Sequence, residues 1–287
     1  MRKATGFLAA IILAGIGAAC HLEDRIPAEV VSMNQSQPLG KEKSLEADIR
    51  FDVGSLEVTS EKSGNAYAVD LDYDRASYKP DVRFEKGADT GRLSLRLESL
   101  HKLGLRADHH QNRLRLGLSD SVPVELSVNS GVGDTRMSLT GMKLRTLDIE
   151  SGVGGSRISS FEPNAIPCDR VRIKNGVGSL DAVGLGNLNF RVLEFEGGVG
   201  GANLDFTGEW RADAEISIQV GVGGVTVRMP RSVGVKVDTK KNFLSGFHLE
   251  NFSKRDSLYY SENYDTAKIR IFMRVVTGVG GFKIAWI

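Results

Sequence analysis

The tripeptide Gly-Val-Gly constrains this chain more than any other feature. It begins at Gly131, Gly152, Gly176, Gly198, Gly221 and Gly278, and Asp52-Val53-Gly54 differs only at its first residue. Aligned on the valine, apolar residues return two, four and six positions before it and three, five and seven after it. Around Val222 these are Ile216, Ile218 and Val220, then Val225, Val227 and Met229; around Val279 they are Met273, Val275 and Thr277, then Phe282, Ile284 and Trp286. Alternation at period two marks a strand with one buried face. The parity changes just after each valine, as at a glycine bend or bulge, because glycine reaches positive φ freely and lets backbones approach closely. Each repeat reads as strand, glycine corner, strand, with corners at Val53, Val132, Val153, Val177, Val199, Val222 and Val279.

From Val132 to Val222 the valines are 21, 24, 22 and 23 residues apart. So even a spacing predicts an all-β solenoid, a single-stranded β-helix-like stack in which coils lie about 4.8 Å apart and equivalent positions form ladders. Stacked antiparallel β-hairpins with Gly-rich turns would give the same alternation and are the alternative. The longer gap of 79 residues before Val132 holds strand-like runs at Val69-Leu71-Tyr73, Leu93-Leu95-Leu97 and Leu114-Leu116-Leu118, which read as degenerate coils. The 33 glycines fall at fixed places between alternating apolar residues, so they punctuate structure and do not signal disorder.

The first residues, MRKATGFLAAIILAGIGAAC, give a basic start at Arg2 and Lys3, an apolar run from Phe7 to Ile16, and small residues up to Ala19. That is the layout of a secretory signal, and the uncharged run is short for a bilayer span, which takes roughly 20 residues. Gly17-Ala18-Ala19-Cys20 resembles a bacterial lipobox, with Gly17 where such motifs usually carry Leu. The resemblance implies cleavage before Cys20 and lipidation there, which would hold the chain to a membrane. His21 in place of Asp implies an outer-membrane destination in a bacterium with two membranes. The expected organisation is a signal over 1–19, a polar tether over 20–43 with Pro27 and Pro38, and an all-β repeat domain over 44–287.

Removing Arg2 and Lys3 from the 37 basic residues leaves 35 against 36 acidic ones. Such a balance generates no global field toward nucleic acid, so no nucleic-acid partner is expected. Cys168 is the only cysteine after Cys20, so no intramolecular disulfide forms within 21–287, and its setting reads as a packed core thiol.

The stretch from Val220 to Ile287, with its Gly-Val-Gly strand, Pro230, the Gly-Val-Lys-Val strand from Gly234, Leu244-Ser245-Gly246-Phe247, a Tyr-rich turn and a final Gly-Val-Gly strand, resembles the toast-rack family and the related C-terminal domain of LiaF-type proteins of the cell-wall antibiotic response. The run from Val122 to Gly155 is similar to the family's central repeats. The resemblance covers about Leu45 to Ile287 and implies a β-stack in the cell envelope, with a role in envelope-stress signalling in some relatives. It implies no catalytic residues.

Few residues suggest chemistry. No Gly-Val-Gly copy continues as a Walker sequence or as Gly-x-Gly-x-x-Gly opening a helix, so neither a phosphate loop nor a cofactor is expected. Asp108-His109-His110 could touch a metal, but neighbours on a strand face opposite ways, so a solvated loop tip is the plainer reading; His248 has no nearby partner in sequence. Asp70, Asp72 and Asp74 share one face of an alternating strand and lack the Gly and distal Glu of an EF-hand, which leaves them as a solvated face. Arg92, Arg96, Lys102, Arg106, Arg113 and Arg115 form a locally basic zone that could meet anionic polymer or headgroups. Tyr259, Tyr260 and Tyr264 could face carbohydrate or pack over a core end. The expectation is a non-enzymatic, lipid-anchored envelope protein presenting a rigid β-repeat surface to an envelope protein or polysaccharide. An accessory regulator of envelope-stress signalling and a carbohydrate-active β-helix enzyme are the alternatives.

Overall fold

The computed structural model describes residues 28–100, 112–240 and 245–287. In chain order the first strands are β1 (Val30–Pro38), β2 (Ser44–Val53), β3 (Ser55–Glu61), β4 (Asn65–Asp74), β5 (Tyr78–Lys86), β6 (Thr90–Ser99) and β7 (Arg113–Ser119). The repeats follow as β8 (Pro123–Val132), β9 (Thr135–Ser138), β10 (Lys143–Val153), β11 (Ser156–Ser159), β12 (Cys168–Val177), β13 (Leu180–Val183), β14 (Phe190–Val199) and β15 (Ala202–Asp205). β16 (Ala214–Met229) runs unbroken through its corner; β17 (Gly234–Lys240), β18 (Ser245–Leu249), β19 (Phe252–Arg255), β20 (Leu258–Ser261) and β21 (Arg270–Trp286) complete the chain.

All 21 strands form one sheet, folded along the glycine corners into two faces. The long first face runs β5-β6-β2-β8-β10-β12-β14-β16-β21-β17-β20-β19. The second runs β1-β4-β7-β3-β9-β11-β13-β15-β16-β21-β18. Every pairing from β6 to β17 on the first face, and from β7 to β18 on the second, is parallel and one rung deep, which is a solenoid and excludes the hairpin stack. Among the described residues antiparallel strands occur only as caps, with β5, β4 and β1 at one end and β20 and β19 at the other.

Space and sequence part company at both ends. β2 lies between β6 and β8, so the rung made by β6 and β7 stacks outside an earlier one. β21 lies between β16 and the earlier β17.

The alternating apolar positions of both faces fill the interior, where Phe51, Phe195, Phe206 and Phe282 are fully buried. Each such side chain adds about 1.5–3 kcal/mol of transfer free energy. Beneath the corners the buried column turns polar in three rungs. Ser151 accepts from Ser130 (3.2 Å) and Ser156 (3.1 Å), and Ser156 also reaches Asn175 (3.4 Å). On the return side the loops are tied by buried asparagines: Asn164 accepts from Leu144 N–H (3.0 Å) and donates to the carbonyls of Leu144 (2.7 Å) and Leu188 (3.2 Å). Trp210 closes that side against Phe190, ring centres 5.3 Å apart, and donates its indole N–H to the Phe206 carbonyl.

The expected tether over 20–43 is shorter than the sequence suggests. Val30–Pro38 is a strand paired antiparallel with β4, from Val30 opposite Asp74 to Pro38 opposite Asn65. It is an edge strand whose polar side chains lack the strong alternation that marks the interior rungs.

Candidate interaction surfaces

The corner is built by its glycines. The second glycine of each repeat has φ between +128° and +142°, from Gly54 to Gly280. A Cβ on Gly200 would stand 1.8 Å from the Gly178 carbonyl oxygen, and one on the first glycine, Gly198, 2.3 Å from that of Gly176. Both glycines are therefore required, one by φ and close approach and the other by close approach alone. The Gly178 N–H donates to the Val199 carbonyl of the next rung (2.9 Å), and Gly133, Gly154 and Gly200 repeat the bond.

In the six full copies the valine between the two glycines points outward, whereas Val53, which follows Asp52, packs partly against the core. Alternation would carry the buried parity on to the valine; instead the buried positions skip from two before it to three after it, as from Ser130 to Thr135. Val53, Val132, Val153, Val177, Val199, Val222 and Val279 stand in register on consecutive rungs, and the last six are 46–53% exposed. At about 4.8 Å per rung the six exposed valines form an apolar ridge about 24 Å long.

The outward side of the first face is a set of charge ladders. Arg92 pairs with Glu46 (2.9 Å), Arg172 with Asp148 (3.2 Å) and Lys174 with Glu196 (3.0 Å), each across neighbouring strands. A shallow trough of about 540 Å³ crosses this face, bordered by Asp48, Asp81, Arg83, Glu125 and Arg170. On the second face a trough of about 580 Å³ lies over Ser36, Ala68, Gly117 and Thr59, flanked by Asp70, Arg115 and Glu57.

The basic zone does not assemble into one patch. Arg92 and Arg96 lie on β6 and the first face, while Arg113 and Arg115 lie on β7 and the second. Arg115 is held by Asp70 at 2.9 Å; Lys102 and Arg106 fall outside the described residues. The three carboxylates separate too. Asp70 meets Arg115 and Asp72 accepts from the Ser32 hydroxyl, whereas Asp74 is buried and accepts the N–H groups of Glu29 (2.9 Å) and Ala76 (3.1 Å) at a turn. His248 is exposed on β18, opposite Lys283. Asp108, His109, His110 and Cys20 lie outside the described residues, among which no group of three metal-ligating side chains gathers.

The tyrosines pack the β17–β20 end. Tyr260 and Tyr264 meet edge to face at 5.0 Å, with Arg255 over the first ring and Arg270 over the second. A small cleft of about 210 Å³ between Trp286, Arg231 and Glu262 lies beside them.

Burial pushes the Cys168 thiol up to about 12, and its Sγ–H points to the Arg170 carbonyl, so it is a core group and no nucleophile. Desolvation also raises Tyr67 and Tyr78, and hydrogen bonds from Ser63 hold the Glu61 carboxyl low. No helix among the described residues is long and apolar enough to cross a membrane.

Parallel rungs, a glycine corner and an outward valine ridge define an all-β solenoid repeat protein. The chain belongs to the toast-rack family: the domain described as the N-terminal domain of toast_rack, DUF2154, matches residues 26–182 and again 163–228. The matched residues include β1 and end within β16, so most of the stretch resembling LiaF-type domains lies beyond them. Among solved structures, a proposed cell adhesion protein of Clostridium sporogenes is similar over 90% of this chain and 100% of its own, at 18% identity and TM-score 0.47. A proposed adhesin of Bacteroides fragilis is similar over 90% and 97%, at 15% identity and TM-score 0.43. No curated protein matches the chain.

Proposed function

We propose that this chain is a non-enzymatic cell-envelope lipoprotein, anchored through Cys20, whose toast-rack domain holds a rigid apolar ridge toward an envelope partner. The observation that carries the reading is the ridge itself: six exposed valines in register, each locked between glycines that admit no side chain. A surface fixed rung by rung by backbone hydrogen bonds offers recognition without moving parts. Three ion pairs tie neighbouring strands across the first face, Arg92–Glu46, Arg172–Asp148 and Lys174–Glu196, an arrangement that favours a scaffold over a site poised for proton transfer.

Anchoring rests on the sequence before the fold. Only nine residues, 21–29, separate Cys20 from Val30, a reach of at most about 35 Å when fully extended. The domain would therefore sit close to the lipid surface. The test is metabolic labelling with a palmitate analogue in a bacterial host. The full chain should take up label and partition with membranes, and Cys20→Ser should lose both. A Cys20→Ser chain that partitions unchanged refutes the anchor.

A further inference from the structure

An open sheet edge needs protection, because its unpaired N–H and C=O groups template pairing with another chain. The described strands leave four such edges, on β1, β5, β18 and β19. Three carry recognisable defences. β5 has Pro80 flanked by Lys79 and Asp81, with Arg83, Glu85 and Lys86 beyond; β18 is only 5 residues long; β19 has 4, two of them Lys254 and Arg255. β1 differs. Its 9 residues, VVSMNQSQP, include no charged side chain, and its one proline is the last residue.

The hydrogen-bond phase of β1 identifies which groups are open. The Arg75 N–H donates to the Glu29 carbonyl at 3.0 Å, and the register continues from Val30 opposite Asp74 to Ser36 opposite Ala68. Bonded and non-bonded pairs alternate in an antiparallel ladder, so Val31, Met33 and Gln35 bond β4 while Val30, Ser32, Asn34 and Ser36 turn their peptide groups away from it. The strand is firmly seated on its inner side, where Met33 packs against the core and Gln35 donates to the Tyr67 hydroxyl at 2.8 Å.

We propose that β1 pairs antiparallel with β1 of a second copy of this chain, about a two-fold axis at Asn34. That register sets Asn34 opposite Asn34 and Ser32 opposite Ser36, which joins open groups to open groups in about six backbone hydrogen bonds. Every cross-strand pair is uncharged, so no like charges meet, and serine and asparagine side chains hydrogen-bond across such pairs. Pro38, lacking an N–H, falls opposite Val30 and ends the ladder on both sides. The Asp70 carboxylates on β4, opposite Asn34, stand about 14 Å from each other across three strand spacings, beyond the Debye length of about 8 Å at physiological salt. The two second faces thereby join into one sheet, and the pairing requires no lipid anchor.

The full chain in density-matched detergent should sediment as a reversible monomer–dimer system. Asn34→Lys sets two ammonium groups opposite each other on an exposed edge. It should raise the dissociation constant at least about tenfold while leaving the thermal melt unchanged. Asn34→Cys should form an intermolecular disulfide, since bonded antiparallel pairs stand about 5.5 Å apart at Cα, inside the range a disulfide spans. Arg83→Cys on the defended β5 edge, with the unsubstituted chain as the control for Cys20 and Cys168, should not. A monomer at every concentration overturns the proposal. So does a dimer that Asn34→Lys leaves intact, or equal cross-linking by Asn34→Cys and Arg83→Cys.

Discussion

A glycine costs conformational entropy wherever a chain orders it, so its retention at the corners has a steric reason that single substitutions can expose. Gly200→Ala forces a Cβ to within 1.8 Å of the Gly178 oxygen at φ +139°, and should lower unfolding free energy by about 3 kcal/mol or more in urea titration. Gly281, the residue directly after the second corner glycine of its own rung, has nothing within 4 Å of the same position. Gly281→Ala should be neutral or stabilise by about 0.5–1 kcal/mol. Comparable losses from both would mean that flexibility, not close approach, is what the corner glycines supply. Cys168 gives a second residue-scale expectation. Its thiol is raised to about 12 in the fold, against about 8.5 in an unfolded chain, so the protonated form is favoured by folding. That contribution is complete below about pH 8.5 and is lost as pH rises to about 12, at up to about 1.4 kcal/mol per pH unit. Relative to Cys168→Ala, the chain should therefore lose stability over this alkaline window, and parallel pH curves for the two would sink the assignment.

Among the elements, the long strands before each corner and the short ones after it were legible in advance, because one buried face imposes period two and glycine marks the bend. Less was legible where physics leaves no periodic trace. Parallel and antiparallel pairing share the same alternation, so the capping roles of β4 and β5 could not be read from Val69-Leu71-Tyr73 or its neighbours. β1 escaped notice because an edge strand buries little and alternates Ser, Met, Asn and Gln. The outward turn of the valines was hidden by parity, since only the four-residue corner, from first glycine to the residue after the second, breaks it. The basic zone looked continuous because Arg96 and Arg113 are near in sequence, yet β6 and β7 occupy different faces. The return loops carry their own element-scale test. Asn164 is buried and makes three hydrogen bonds to Leu144 and Leu188, on either side of its own loop. Asn164→Ala should cost about 2–4 kcal/mol, since it strands buried backbone groups on two rungs. Hydrogen exchange should show the loss of protection at Leu144 N–H first; a uniform loss would argue against a local tie.

At the scale of the whole molecule, near-constant spacing made a stack legible, but the order of its rungs was not, because sequence records connection and the stack records contact. β21 is the clearest case. It reaches its place after β17 and β18 have been made, yet it separates them from β16 and pairs with all three. In a simple repeat array each new coil zips onto the last, and growth can stop at any rung with only one edge exposed. Here growth in chain order is forbidden at the end: once β16 is laid down, β17 and β18 have no template until residues from Arg270 onward arrive. The final rung works like the middle leaf inserted into an extending table, and until it is home two raw edges face each other across an empty slot. A chain interrupted before Arg270 is thus worse than one rung short, because it carries a β16 open along its outer edge and a homeless β17–β18 segment at once. Quality control that recognises exposed strand edges would sense completion of this molecule through a single event, the closing of that slot.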